Sequence, residues 1–246
     1  MFESYERLQK AIVPGLRYSQ YYYLDILRRE IPMGCSWLDI GCGHQLFAPW
    51  MINEEREIAS RAQQLIGIDL DRTGIAKHQS LHLRVVGNLE KLPFPNDKFD
   101  MVTANMVIEH IEQPDIVLAE ISRILRIGGT FIFHTPNRNS FQNAILRKIP
   151  QAMKYKLSLI LEGRKEEDVF PTYYRLNTVK EIKRLSARYS FDVQRIDLFN
   201  SSAQTAALGP LSIAELLFLR VIQKQIFENR RTNLIAILLK NSHVGT

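Results

Sequence analysis

Short, almost uninterrupted apolar runs alternate along the chain with longer segments whose apolar residues recur at helical spacing. Five apolar runs predict strands at residues 35–41, 64–70, 81–87, 98–106 and 130–136. Between the last two, apolar residues recur every three or four positions and predict a helix over 115–126, capped by Gly128-Gly129. Strands that alternate with helices favour parallel βαβ units, and continuous apolar strands are typical of a sheet covered on both faces.

Two further segments, 190–199 and 232–240, are predicted as strands and lack a clean crossover between them, which predicts a terminal antiparallel strand. A helix is expected near 178–189, with Thr178 as its N-cap. Residues 3–30 are predicted as helix, as are residues 46–60 and a short segment after Asp71. The predicted fold class is therefore α/β, with a mostly parallel sheet, helices on both faces and helical insertions.

Three segments lie outside a minimal sheet: an N-terminal helical cap over 1–34, and insertions over 137–177 and 200–231. Both insertions are too long for ordinary loops, so we expect them to carry helices or a function such as acceptor binding or association. The second contains a strongly apolar stretch at 209–227 that predicts a helix. We treat residues 1–246 as a single domain with these additions.

Composition narrows the function. The chain has 246 residues, 46% of them hydrophobic, which suits one α/β domain and excludes wholesale disorder. A net charge of +6 without a dense basic run is mild for a nucleic-acid binder. The two cysteines form no metal-spaced set, so a reducing compartment is expected and the predicted location is cytoplasmic. We predict neither a signal peptide nor a membrane span, because no apolar stretch reaches about 18 residues.

The stretch "LDIGCGHQ" at 38–45 ends the first strand in a glycine turn, and this turn indicates the ligand. A dinucleotide fingerprint needs a third glycine where the chain has Leu46, and a P-loop would need a GKS or GKT. Asp39 would also repel a phosphate, whereas it would attract a cation such as the ammonium or sulfonium of S-adenosylmethionine (SAM). The other interpretation, an ordinary strand-to-helix turn, loses weight because Asp69 ends the second strand, where an acid can bind ribose hydroxyls.

Four motifs follow in order from Trp37 to Asn137: "LDIGCG", "GIDLD", "LEKLPFPNDKFDMVTANMVIEHI" and "LAEISRILRIGGTFIFHTPN". This set resembles class I SAM-dependent methyltransferases, in particular the type 11, ubiquinone-menaquinone-methyltransferase-like group. The resemblance implies a Rossmann-like seven-stranded sheet with an antiparallel last strand, and SAM as the cofactor. It also implies which residues bind SAM: Asp39, Gly41, Cys42 and Gly43 at the methionine part, Asp69 and Leu70 at the ribose, Asn88 and Leu89 at the adenine, and Asn105 and Met106 beneath the ligand.

Two positions depart from the resemblance. Relatives often have an acid where this chain has Asn88, but an amide oxygen can accept the same hydrogen bond without charge. Relatives also often have a small residue where this chain has His44, which we interpret as a side chain at the mouth of the pocket. Neither departure excludes the cofactor.

An oxygen nucleophile would benefit from a general base, and two histidines are candidates. His110 follows the fourth strand in "IEHI", and His134 lies near the end of the fifth in "FIFHTPN". The Glu-His pair recurs in relatives with different substrates, which favours an architectural role for His110. The histidines and acids form no ligand set, so no metal is predicted.

Acceptor binding is expected after the fifth strand, where Tyr173, Tyr174 and Arg175 cluster. Aromatic faces suit sugars, and an arginine suits a carboxylate or phosphate. Residues 138–161 mix basic and apolar side chains without an acid, which is typical of a membrane-surface helix or, as we prefer, of a solvated cap on the site.

The leading hypothesis is SAM-dependent methyl transfer to a small-molecule, sugar- or lipid-linked acceptor, at oxygen. A quinone-type C-methyltransferase and a non-catalytic SAM-fold binding protein are the alternatives. An RNA substrate is disfavoured because an NPPY-type motif and a nucleic-acid module are both absent from the sequence. Peripheral membrane contact and oligomer formation stay open.

Overall fold

The computed structural model describes residues 2–146, 171–201 and 210–242. The strands are β1 Cys35–Ile40, β2 Ala62–Asp69, β3 Leu83–Val86, β4 Phe99–Asn105, β5 Leu125–Pro136, β6 Phe191–Phe199 and β7 Asn233–Lys240. The α-helices of these residues are α1 Phe2–Ile12, α2 Ser19–Glu30, α3 Ile52–Ala59, α4 Arg72–Lys77, α5 Pro114–Ile124, α6 Phe141–Leu146, α7 Val179–Arg188 and α8 Pro210–Ile222. Short 3₁₀ helices occupy Pro49–Met51, Ile108–His110 and Gln225–Arg230.

The strands form one seven-stranded sheet in the order β3-β2-β1-β4-β5-β7-β6. Strands β1 to β5 pair in parallel, and β7 is antiparallel to its neighbours β5 and β6. This confirms the predicted fold class, a Rossmann-like, mostly parallel sheet with an antiparallel last strand.

The centre of the sheet is buried, as its continuous apolar strands predict. In β1, Trp37, Leu38 and Ile40 are entirely buried. Strand β1 lies between β2 and β4, which is the point where the strand order reverses. Ligands of open α/β sheets bind outside the carboxyl ends of the strands at such a switch point. The turn after Ile40 therefore lies where this architecture predicts a ligand.

The predicted helix over 3–30 is wrong in its continuity. It is two helices, α1 and α2, separated at residues 13–18. Pro14 disfavours a helical conformation for the residue before it, and Gly15 has a φ of 81°, which lies outside the right-handed helix. The predicted helix over 46–60 is likewise shorter, because a 3₁₀ turn at Pro49–Met51 precedes α3.

The predicted boundary between the helix at 115–126 and the strand at 130–136 is also wrong. Helix α5 ends at Ile124, and β5 begins at once with Leu125, so Gly128 and Gly129 lie inside the strand and do not cap the helix. Gly128 has a φ of 78°, and the register between β4 and β5 shifts between Phe99 and Met101. The glycine pair thus permits an irregularity in the strand. Thr178 does cap α7, as predicted, by accepting a hydrogen bond from the backbone N–H of Glu181.

The chain divides into two compact units. Of the described residues, the first contains 2–22, 136–146, 171, 198–201 and 210–234, which include parts of the predicted cap and of both predicted insertions. Residues 147–170 and 202–209 of the insertions lie outside the described residues. The buried cluster of the first unit is formed by Val13 and Leu16 with three residues of α8, Leu216, Leu219 and Ile222. The second comprises residues 23–135, 172–197 and 235–246, and contains the parallel strands β1 to β4 with nearly all of β5.

Candidate cofactor site

A buried hydrogen-bonded chain joins three side chains on β1 and β4. The indole N–H of Trp37 donates to the hydroxyl of Thr103 at 2.7 Å, and that hydroxyl donates to Oδ1 of Asp39 at 2.5 Å. Asp39 and Thr103 are register partners on adjacent strands, so the sheet itself brings them together. Asp39 is only 3% exposed, and Thr103 is completely buried. The carboxylate is therefore held in one place at the switch point.

Burial dominates the acid chemistry of Asp39. Desolvation raises the pKa of Asp39 from 3.8 to about 8; the Thr103 hydrogen bond opposes this, and the carboxylates of Glu55 and Asp69 add to it. A buried carboxyl with no cation beside it favours the neutral form, and a nearby positive charge reverses that preference. The site is therefore suited to a cationic group.

The glycine turn that follows Asp39 adopts a backbone that few other residues tolerate. Gly41 has a φ of 63° and Gly43 a φ of 51°. A Cβ on Gly41 would lie 2.5 Å from a methyl group of Val107, whereas a Cβ on Gly43 would meet nothing within 4 Å. Gly41 is thus required by packing, and Gly43 borders open space. Cys42, between them, is buried, and burial raises the pKa of its thiol, which keeps it protonated.

Asp69 connects the end of β2 to this turn. Its Oδ2 accepts a hydrogen bond from the backbone N–H of Gly43 at 2.8 Å, and its Oδ1 accepts one from the N–H of Asp71 at 2.7 Å. A carboxylate has about four acceptor positions, so two further donors can be accepted. The half-buried Asp69 is therefore both a brace for the turn and an available acceptor.

The loop beyond the glycines is anchored at Leu46. Its backbone N–H donates to Oε2 of Glu55 at 2.9 Å, and its carbonyl accepts from the side-chain amide of Asn105 at 2.6 Å. Glu55 is buried and also accepts from Ser80 at 2.6 Å. Nearby His78 is buried too, which lowers its pKa to about 4 and leaves it neutral. Two polar side chains from different elements thus fix one loop residue.

Asn105 and His134 meet across the ends of β4 and β5, where they are register partners. The amide Oδ1 of Asn105 and Nδ1 of His134 are 2.8 Å apart, and the completely buried His134 ring stacks on Tyr23 at 5.6 Å. The next residue, Met106, has a φ of 59°, a conformation that costs a non-glycine residue free energy and is concentrated at functional sites. His134 is therefore buried and in contact with the Asn105 amide.

Three of the residues predicted to bind the cofactor are more exposed to solvent than Asp39 is. Leu70 is 65% exposed, Asn88 is exposed, and Leu89 is half-buried. The side-chain oxygen of Asn88 accepts from the N–H of Glu90 at 3.0 Å, which forms a local turn after β3. His44 is also exposed.

The 3₁₀ turn Ile108–His110 brings the predicted acceptor residues to one place. The carbonyl of Glu109 accepts from the backbone N–H groups of Tyr173 at 2.8 Å and Tyr174 at 3.2 Å. The half-buried His110 is the next residue along the chain. Two of the predicted acceptor residues and the candidate base therefore share one anchor.

The side chain of Glu109 is itself part of a buried network. Its Oε2 accepts from the hydroxyl of Thr135 at 2.8 Å, and Thr135 accepts from the amide of Asn177 at 2.6 Å. The three residues come from the turn after β4, from β5 and from the segment before α7. The network holds residues 173–177 against the ends of the strands.

Arg175 is engaged at the surface. Its guanidinium donates to the carbonyl of Glu112 at 2.7 Å and lies 5.5 Å from the centre of the Tyr173 ring. Any anion bound by Arg175 would therefore meet a planar cation already stacked on an aromatic face.

Four polar residues that organise this site were not predicted from the sequence: Thr103, Glu55, Thr135 and Asn177. A signal for Thr103 exists, because it is a polar residue inside the apolar run of β4. Glu55 resembles any exposed acid of a charged helix, and only the fold shows that it is buried. Among the described residues, no group of three or more His, Cys, Asp or Glu side chains is arranged so that it could hold a metal ion.

Comparisons with known proteins agree with this geometry. Residues 38–133 match the family described as "Methyltransferase domain". A "Probable S-adenosylmethionine-dependent methyltransferase" of Mycolicibacterium smegmatis is 32% identical over 137 residues, covering 52% of this chain and 51% of that protein. A "Fatty-acid O-methyltransferase" of the same species is 32% identical over 123 residues, covering 48% of this chain and 43% of that protein. The chain thus spans about half the length of these curated relatives.

The architecture is shared with solved methyltransferases. The crystal structure of a SAM-dependent methyltransferase from Methanosarcina mazei superposes with a TM-score of 0.59, covers 89% of this chain and 98% of its own, and is 16% identical. At that identity the likeness shows the fold alone. The names of these relatives include SAM, in agreement with the predicted cofactor. Over residues 38–133 the chain is thus similar to SAM-dependent methyltransferases, and its seven-stranded sheet has the fold of the solved members.

Proposed function

We propose that this chain transfers the methyl group of SAM to an oxygen atom of a small-molecule, sugar- or lipid-linked acceptor. The observation that carries the proposal is the buried carboxylate of Asp39 beside a glycine turn that borders open space at Gly43. SAM supplies an activated methyl group on a sulfonium and also carries an ammonium group.

The residues fit this ligand by charge. Asp39, whose pKa burial raises to about 8, is stabilised as a carboxylate when an ammonium group lies beside it. A pyrophosphate would have the opposite effect, because it would add a negative charge to a site that already contains Asp39, Asp69 and Glu55. This set of carboxylates therefore favours a cationic cofactor over a dinucleotide.

Each predicted cofactor residue then has a role to test. Gly41, Cys42 and Gly43 shape the backbone under the methionine part, and Asp69 with Leu70 binds the ribose. Asn88 and Leu89 would lie by the adenine, where the Asn88 oxygen would accept a second hydrogen bond besides the one from Glu90. Asn105 and Met106 form the floor.

The acceptor would bind beside His110, with Tyr173, Tyr174 and Arg175 around it. Glu109 supports this arrangement, since its carbonyl fixes the backbone of both tyrosines. In this proposal His110 removes the proton from a hydroxyl acceptor, whereas a carboxylate acceptor has no proton to lose. His134 acts through Asn105, because its ring is completely buried and contacts the Asn105 amide. The larger part of the rate enhancement comes from holding the acceptor oxygen within about 3 Å of the methyl carbon.

The relative named as a fatty-acid O-methyltransferase supports oxygen as the methylated atom and a lipid-like acceptor. Nucleic acid is not proposed as a partner. The test is transfer of labelled methyl from SAM to a long-chain fatty acid, a free sugar and a hydroxylated aromatic. We expect labelled ester or ether from at least one of them, and less from Asp39→Asn when the concentration of SAM is below saturation. SAM binding without transfer to any oxygen acceptor would refute the O-methyltransferase proposal and favour the binding-protein alternative.

A further inference from the structure

Helix α8 of the first unit is apolar on two sides. One side, with Leu216, Leu219 and Ile222, is buried in the cluster that includes Val13 and Leu16. The only charged residues among its thirteen are Glu215 and Arg220. A helix that is apolar around its circumference is ordinarily covered on all sides.

The opposite side of α8 faces outward. Ile213, Leu217 and Val221, spaced four residues apart, are 43%, 53% and 48% exposed, and Phe218 lies beside them. Side chains at this spacing form one stripe along a helix. The 3₁₀ turn that follows α8 adds Ile226, which is 83% exposed. These five residues are called the α8 stripe below.

The α8 stripe is held rigidly from beneath. The Phe141 ring of α6 meets Phe218 edge-on at 5.7 Å and Phe227 at 5.9 Å. Arg220 donates from its guanidinium to the carbonyl of Ile12 at 2.8 Å, which ties α8 to α1. The stripe is therefore a preformed surface, and its exposure does not arise from a frayed helix end.

The net charge of the described chain is concentrated in the same unit. The described residues of the first unit include eight Lys and Arg but four Asp and Glu, whereas those of the second unit include eighteen of each. Arg220 and Lys224 lie on α8 or directly after it, and Lys10 of α1 is exposed. An apolar surface within a basic unit complements a partner that is apolar inside and negative outside.

We propose that the α8 stripe binds the surface of a bilayer that contains anionic phospholipid. Leu217, Val221 and Ile226 enter the boundary between headgroups and acyl chains, and Lys10 and Lys224 attract the phosphates. Interfacial helices combine burial of apolar side chains with attraction by basic residues in this way. A second copy of the chain is a poorer occupant, because it would bring together two units of the same positive charge.

The contact is peripheral. Helix α8 has thirteen residues, and among the described parts of the chain every helix is too short or too polar to cross a membrane. A surface contact suits a lipid-linked acceptor. It does not depend on the proposed function, because vesicle binding is measured without SAM or acceptor.

The test is co-sedimentation of the full chain with two kinds of vesicle. One contains phosphatidylcholine alone, and the other contains about a third phosphatidylserine, which is anionic. We expect binding to the mixed vesicles that weakens in high salt. Leu217→Ser with Val221→Ser should reduce that binding at least about tenfold. The matched control is Met33→Ser with Ile127→Ser, two apolar residues of the second unit that are also well exposed, and it should bind as the wild type does.

Charge is tested separately. Lys10→Gln with Lys224→Gln should weaken binding by about fivefold per charge and reduce its salt dependence, whereas Lys180→Gln with Lys183→Gln should not. The proposal is overturned if the wild type stays in the supernatant with the anionic vesicles. It is also overturned if the serine variant binds the vesicles as well as the wild type does. A third contradicting result is light scattering that shows a dimer for the wild type and a monomer for the serine variant, with vesicle binding unchanged.

Discussion

The hydroxyl of Thr103 on β4 donates a hydrogen bond to Oδ1 of Asp39 on β1, with 2.5 Å between the two oxygens, and the two residues are register partners in the sheet. The hydrogen bond holds a carboxyl group in a buried position where its ionised form has little other support. The position is costly in the ligand-free protein and favourable once a cation lies beside it. This difference is the basis of the first two predictions.

Replacing Asp39 with Asn should weaken SAM binding without destabilising the ligand-free protein. Asparagine keeps the oxygen that accepts from Thr103 but cannot carry the charge, and hydrogen bonds to charged groups account for about tenfold to a hundredfold in affinity. Calorimetric titration gives the affinity, and thermal unfolding of the ligand-free variant gives the stability. Unchanged affinity would contradict the role of Asp39, and a large fall in melting temperature would mean that its role is structural.

SAM binding should release a proton near neutral pH. The pKa of Asp39 in the ligand-free protein is about 8, so the group is protonated at pH 7 and must ionise to face a cation. Affinity should therefore rise between pH 6 and pH 8, by at most about tenfold per pH unit. Titration at pH 7 in buffers of different ionisation enthalpy measures the proton, and Asp39→Asn is the control that should release none.

The raised pKa of Asp39 also predicts how the free energy of unfolding of the ligand-free protein depends on pH. Between pH 4 and pH 8, about the two pKa values, the folded ligand-free protein binds a proton at Asp39 that the unfolded chain does not. This contribution to the free energy of unfolding is therefore largest below pH 4 and is lost as pH rises to about 8. Asp39→Asn should remove this pH dependence, because an amide does not titrate, and an identical pH dependence in both proteins would contradict the raised pKa.

Alanine at the two turn glycines should separate packing from ligand binding. Both substitutions force a positive φ on a residue with a Cβ, at a cost of about 1–2 kcal/mol. Gly41→Ala adds an overlap with Val107, which should cost a further ~1–3 kcal/mol of unfolding free energy. Gly43→Ala has no such overlap, so it should be the more stable variant and should lose SAM affinity because its Cβ enters the open space. Denaturant unfolding and calorimetry measure the pair, and the reverse order of stability would contradict the geometry.

The two histidines should fail in different ways. His110→Asn should lower kcat by about a hundredfold or more with little change in SAM affinity, as loss of a general base does. His134→Asn should weaken SAM binding, because Asn105 loses the ring that fixes its amide. Single-turnover kinetics and binding titrations distinguish the two. Full activity of His110→Asn would assign that residue an architectural role.

Local sequence was enough to predict the sheet and the glycine turn, because their signals lie within a few residues. Asp39, Gly41 and Gly43 form one short stretch, and the central strands are mostly apolar runs. Thr103 and Glu55 were not predicted, since their importance depends on which strands pair and which helix face is buried. The same limit explains the break at Pro14-Gly15 and the strand position of Gly128, where backbone conformation overrides an apparently helical pattern.

Asn88 shows where a resemblance is weakest. The motif predicts an acceptor for the adenine amino group, but its side-chain oxygen already accepts from Glu90. A position like this can be assigned only from the hydrogen bonds of the folded turn, because sequence spacing alone does not show which lone pairs are in use.

The central claim is that the carboxyl edge of this sheet binds SAM. Calorimetric titration of the full chain with SAM, with its demethylated product and with NAD tests it most directly. We expect saturable one-to-one binding of the first two, and no heat from NAD at the same concentrations. Binding of NAD without binding of SAM would contradict the assignment of the site.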